Sequence, residues 1–281
     1  MRFGIFRRKP LMGILASNQY PRIDEGIIDP IFVDQLHELM SKSERVHREV
    51  GSVILIQRGH LRVYRKSTMG RGDFVDLSRV FVKLSIDEIK RMVGIVHTHT
   101  QRYEVVTSHL PSAMDIVSGT TVGFILGRDE YINMVLYRLK KSTTTIMPAY
   151  ECIGTLYNMS PNVDRLKEVI DELYFYIKGE VESYGEEYTR EEFFLDYYTG
   201  KYPEEINIEK VQSMKSRIDE LYQICREDVE EFMRRHERHY GDFWWEGLRD
   251  YLEVKFVILE FHEYKVLDKY EVYNYNEVWY G

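Results

Sequence analysis

The sequence predicts a mixed α/β protein, with one sheet flanked by helices and a mainly helical, acidic region after it. Three observations predict this. Up to about residue 150, apolar runs of strand length such as Val50–Ile56, Leu61–Tyr64 and Met92–Val96 alternate with stretches whose apolar residues recur at helical spacing. Beyond that point the apolar residues form long helical stripes. The charge also changes sign: residues 1–150 carry 22 Lys and Arg against 15 Asp and Glu, residues 151–281 carry 16 against 31, and 16 of the 22 tyrosines fall in the second stretch.

These shifts divide the chain into an N-terminal segment (1–28), an α/β domain (29–155) and a mainly helical, acidic, tyrosine-rich C-terminal domain (156–281). The first segment is irregular, punctuated by Pro10 and Pro21. From Pro30 to Val46, the positions Ile31, Phe32, Leu36, Leu39 and Met40 fit one helix face. Val50–Ile56 and Leu61–Tyr64 read as a hairpin turning at Arg58-Gly59. Val80–Leu84 reads as a further strand, and Ser85 with Glu88 as a capping box opening a short helix that ends near Met92. The strand ending in His97 and His99 follows. Ser112 is placed to cap the next helix, and Thr121–Leu126 and Tyr131–Leu136 read as two strands. In the second region Ser160-Pro161 reads as a helix start, with Leu166, Val169, Ile170, Leu173 and Ile177 as its apolar stripe. Thr189 and Glu192 suggest another capped helix. Val211, Met214, Ile218, Leu221, Cys225, Val229, Phe232 and Met233 mark a long one closing near Tyr240-Gly241. The tail from Phe256 to Trp279, including Tyr273-Asn-Tyr275, alternates as strands do.

Composition excludes several classes. No apolar run approaches the roughly 18 residues of a spanning helix, and the basic start lacks the apolar stretch of a secretory signal. Cys152 and Cys225 sit in no Cys/His cluster and read as reduced core residues, so the expected compartment is cytoplasmic. The positive charge of the first half is too diffuse to argue for nucleic acid.

The chemistry gathers at His97-Thr-His99 and Ser112-Ala-Met-Asp115. Strand side chains alternate, so His97 and His99 share one face. Two imidazoles and the Asp115 carboxylate make a three-ligand set that leaves one position for water, as in catalytic rather than structural zinc sites. Other His-x-His patterns fit poorly. A metallo-β-lactamase would place Asp and His where Gln101 and Arg102 stand, and a cupin using Glu104 would need a glycine where Pro111 stands. His236 and His239 lie in the last turn of the long helix, where the dipole favours such residues, and read as structural.

Glu49, His97-Thr-His99 and Ser112-x-x-Asp115, in that order on these elements, resemble the JAMM signature of the MPN+ zinc metalloproteases. The resemblance spans about residues 30–150. It implies an MPN-like (cytidine-deaminase-like) sheet and one Zn2+ per chain held by His97, His99 and Asp115. Catalysis would rest on Glu49 as proton carrier and Ser112 as oxyanion donor, assignments that general acid–base and oxyanion chemistry also support. It implies a peptidase or isopeptidase acting at the C-terminus of a ubiquitin-like or sulfur-carrier-like protein, with the C-terminal domain available to bind a protein partner or the substrate. Two departures stand out: the spacer from His99 to Ser112 is twelve residues, longer than the family's usual one, and Thr100 replaces a frequent proline. The extra residues read as a lengthened loop beside the cleft. The alternatives are a non-catalytic MPN scaffold and a metallohydrolase of small amides or esters.

Overall fold

The computed structural model describes residues 29–70, 75–99, 111–138, 145–240, 254–260 and 263–267. The expectations for the N-terminal segment, most of the long loop and the tail beyond Leu267 lie outside these residues. Helix α1 (Pro30–Val46) starts as its sequence dictates. Asp29 Oδ1 accepts the Phe32 N–H at 2.9 Å, Pro30 occupies the first turn, and Phe32, Leu36, Leu39 and Met40 are buried. Strands β1 (Val50–Gln57) and β2 (His60–Val63) form the expected hairpin, and Arg58 and Gly59 both adopt positive φ (53° and 82°), as a tight two-residue turn requires. Strand β3 (Thr68–Met69) pairs with the start of β1.

Two sequence expectations are corrected next. Val80–Leu84 is not a strand: α2 (Ser78–Phe81) is a single turn whose Val80 and Phe81 are buried. The Phe81 ring lies 5.2 Å from Phe194 and 4.7 Å from Tyr198, so tertiary aromatic packing overrides the β-branched run. The capping box of α3 (Ile86–Lys90) is present as expected, and β4 (Met92–Thr98) follows, buried throughout. Thr121–Leu126 is also not a strand but the second half and end of α4 (Ala113–Ile125). Thr120 and Thr121 turn their hydroxyls back onto the carbonyls of Ile116 and Val117, both at 2.8 Å, which accommodates them in a helix. Because α4 is buried on nearly all sides, its second half shows no amphipathic period.

Strand β5 (Ile132–Arg138) matches its expectation. Strand β6 (Thr145–Glu151), which carries Pro148 in mid-sheet, and α5 (Cys152–Met159) have no counterpart in the sequence reading. Ser160 closes α5 rather than opening the next helix, its hydroxyl donating to Asp228 at 2.6 Å, and α6 (Val163–Ser183) begins after a turn. Its expected stripe is buried. Helix α7 (Arg190–Thr199) has the Thr189–Glu192 capping box, and α8 (Ile208–Tyr240) is the long helix. The tail adds β7 (Val254–Glu260) and β8 (Glu263–Leu267). Cys152 and Cys225 are free and buried, and among the described residues no helix is long and apolar enough to cross a membrane.

The strands form one mixed sheet in the order β2-β1-β4-β5-β6-β7-β8, with β3 also beside β1. Only β4 and β5 run parallel, joined through α4. Thus β7 and β8, from the otherwise helical C-terminal part, complete the sheet. One apolar cluster, with Val53, Ile95, Ile116 and Val135, joins the sheet to α4–α8 and reaches Val229. A smaller one, with Val50, Ile54, Val96 and Met134, lies under α1 on the other face. Helix α5 crosses the expected division at residue 155.

At Gly94 β4 and β5 are tightly apposed: a Cβ there would collide with the Ile132 carbonyl oxygen and approach Ile132 Cβ at 3.1 Å. Because the obstacle includes backbone, it cannot swing aside. Gly94→Ala should therefore cost about 3 kcal/mol, read as an earlier denaturant unfolding midpoint. A midpoint equal to wild type would show that the two strands are not so tightly apposed.

Candidate metal centre

The β4–α4–β5 unit builds the site where the carboxyl end of β4 meets the first turn of α4, a common location for functional groups in α/β crossovers. His97 lies in β4 itself. His99 lies one residue past its end, yet its N–H donates to the Leu136 carbonyl at 2.8 Å, so β5 holds it in line. The two Nε2 atoms stand 3.1 Å apart, with the rings inclined at 53°. After a spacer of twelve residues, Ser112 caps α4 and brings Asp115 to the same place.

Asp115 divides its oxygens between two tasks. Oδ2 accepts the Ser112 N–H at 2.7 Å and the Ser112 hydroxyl at 2.8 Å, while Ser112 Oγ accepts the Asp115 N–H at 3.1 Å. That is a closed capping box. Oδ1 faces His97 Nε2 at 3.2 Å, and His99 Nε2 lies 3.7 Å from Oδ2. Burial alone would raise the Asp115 carboxyl, but attraction to His97 and hydrogen bonds with His97 and His99 hold it well below the usual carboxylate range. The carboxylate is arranged to face positive charge.

A cation fits these atoms. Bonds of about 2.0–2.1 Å in a tetrahedron put neighbouring ligand atoms roughly 3.3 Å apart. The separations of 3.1 Å between the imidazoles and 3.2 Å from His97 to Asp115 Oδ1 are close to that edge. Across 3.1 Å one Nε2 can donate to the other, and with both protons on Nδ1 the two Nε2 lone pairs can bind one cation between them. Among the described residues, His97, His99 and Asp115 are the one group of three or more His, Cys, Asp or Glu able to hold a metal ion.

Glu49 stands next to β1 and is buried, at 8% exposure. Gly51 pairs with His97, and a Cβ on Gly51 would lie 3.5 Å from that of His97, so the two share a face. Glu49 lies two residues before Gly51, just outside the paired residues of β1 and β4, and strand alternation carried back from Gly51 would turn it toward the same face. It is outside the ligand group, as a proton carrier would be.

Two contributions were not read from the sequence. Asn133, in β5, donates its Nδ2 to the Asp115 carbonyl at 3.0 Å and ties the ligand helix to the sheet. A polar Asn inside the apolar run Tyr131–Leu136 was the available signal. Thr98, between the histidines, has its hydroxyl bonded on the opposite face. His236 stacks on Phe232 at 4.3 Å within α8, and its Nδ1 lies 2.9 Å from the Phe232 carbonyl oxygen. Comparison of the chain with protein-family models, curated proteins and solved structures finds no match.

Proposed function

We propose that the chain is a zinc-dependent peptidase or isopeptidase with an MPN-like catalytic sheet, cleaving at the C-terminus of a ubiquitin-like or sulfur-carrier-like protein. One observation carries the reading. Two imidazoles and a carboxylate converge, with two of their separations at a tetrahedral edge, and a buried carboxylate outside that group, Glu49, directly precedes the strand paired with the ligand strand. His97, His99 and Asp115 would hold the ion. Bound there with one position open, zinc supplies Lewis acidity and brings the pKa of a coordinated water to about 7.

The remaining steps belong to the chain's own residues. Glu49 accepts the proton of the attacking water and delivers it to the leaving amine. Ser112 donates a hydrogen bond from its hydroxyl to the oxyanion of the tetrahedral intermediate. That hydroxyl is engaged with Asp115 Oδ2, but the Ser112 N–H holds the same oxygen, so the carboxylate keeps one donor when the hydroxyl turns away. The acidic C-terminal helices are the surface on which a partner or substrate would dock.

The test is a panel of ubiquitin-like and sulfur-carrier-like fusions incubated with the full chain. Cleavage after the modifier's C-terminal residue, abolished by a chelator and restored by Zn2+, is expected. Stoichiometric zinc without cleavage of any fusion would overturn the peptidase reading in favour of a scaffold or a small-amide hydrolase.

A further inference from the structure

The residue between the two histidines faces away from the metal site, and what it touches leads to Glu49. Thr98 is fully buried, with 0% exposure, and strand alternation puts its side chain on the α1 face of the sheet. Its neighbours on that face are apolar: Val96, Met134 and Leu136. A valine would suit such surroundings, so the hydroxyl calls for a reason.

Its hydrogen bonds supply one. The regular β1–β4 ladder runs only as far as the Gly51–His97 pair. The next N–H along β1 toward the site, that of Val50, bonds to Thr98 Oγ1 at 2.9 Å instead of to a backbone carbonyl. Thr98 Oγ1 donates in turn to Ser43 Oγ at 2.8 Å, and Ser43, in α1, donates to the Arg48 carbonyl at 2.7 Å. The Glu49 carbonyl accepts the Gly70 N–H at 2.8 Å. Backbone groups immediately before, at and after Glu49 are thus all fixed, two of them by one hydroxyl chain that begins on the ligand strand.

We infer that Thr98 is a positioning residue: through Ser43 and the Val50 N–H it sets where Glu49 stands relative to His97 and His99. This rests on the reading of Glu49 as the proton carrier. The hydroxyl is bonded on one face of β4 while the imidazoles act on the other. Any shift of the ligand strand is therefore passed to the carboxylate, and the spacing between ligands and base is kept.

A double-mutant cycle tests it without a known substrate. The full-length protein is loaded with Co2+, and its visible absorption and metal stoichiometry are measured for wild type, Thr98→Val, Thr98→Ser, Glu49→Gln and the Thr98→Val/Glu49→Gln pair. Glu49→Gln should change the band, because a proton carrier must stand against the open position. Thr98→Val should produce a comparable change at unchanged stoichiometry, Thr98→Ser should match wild type, and Thr98→Val should add nothing beside Glu49→Gln. Ser43→Ala, which leaves β4 untouched, should reproduce the Thr98→Val change if the valine variant folds poorly. In a cleavage assay Thr98→Val should lower kcat about 10- to 100-fold with KM little altered. An equal spectral change in both backgrounds, or none in either, overturns the positioning role alone. A band indifferent to Glu49→Gln overturns the assignment of Glu49 and the inference with it.

Discussion

Glu49→Gln is expected to lower hydrolysis about a thousandfold while leaving zinc near one atom per chain. Positioned general bases contribute roughly 10²–10⁴-fold, and an amide of the same shape can accept no proton. The substitution separates chemistry from architecture. Glu49 is buried but outside the ligand group, so the metal ligands and the β1–β4 pairing survive its loss of charge. The check is a turnover assay alongside elemental analysis on the same preparation. A retained rate would remove Glu49 as the base, and a rate lost together with zinc would make it a determinant of the site rather than a carrier of protons.

The second large effect falls on the ligands. His97→Ala and Asp115→Ala should each weaken metal binding by well over about a hundredfold, since even outer-shell partners of ligands typically cost 10–100-fold. The consequence can be read without a substrate. A metal that binds only the folded chain stabilises it by about 2.7 kcal/mol at a hundred times its Kd. Thermal unfolding of wild type should therefore move upward with added Zn2+ and back with a chelator. Both variants should be indifferent to either. The Asp115 variant carries a second cost, because the carboxylate also closes the capping box of α4. A Zn2+-dependent shift of wild-type size in His97→Ala would refute that ligand.

The candidate site was more legible than the fold around it. His-x-His on an apolar strand and Ser-x-x-Asp at a helix start each encode their geometry locally, through strand alternation in one case and the capping box in the other. Neither depends on what lies far away in sequence. Elements whose identity is decided by tertiary burial were misread. The second half of α4 looks like a strand because a helix buried on most sides loses its polar face, and the hydroxyl back-bonds of Thr120 and Thr121 leave no trace in the sequence. Val80–Leu84 reads as extended until Phe81 meets Phe194 and Tyr198 from more than a hundred residues away. β6 is hidden by Pro148, and the joining of β7 to β6 pairs segments with the whole helical region between them. The hydrogen-bond chain from Val50 through Thr98 to Ser43 joins three elements, and no spacing rule anticipates it.

The central claim is that His97, His99 and Asp115 hold one metal ion. Elemental analysis of the full chain, purified without added metal and compared with His97→Ala purified in parallel, tests it most directly. The account predicts close to one zinc per wild-type chain and almost none in the variant. Wild type free of zinc and unable to take it up after dialysis against Zn2+, or a variant loaded as fully as wild type, would contradict it.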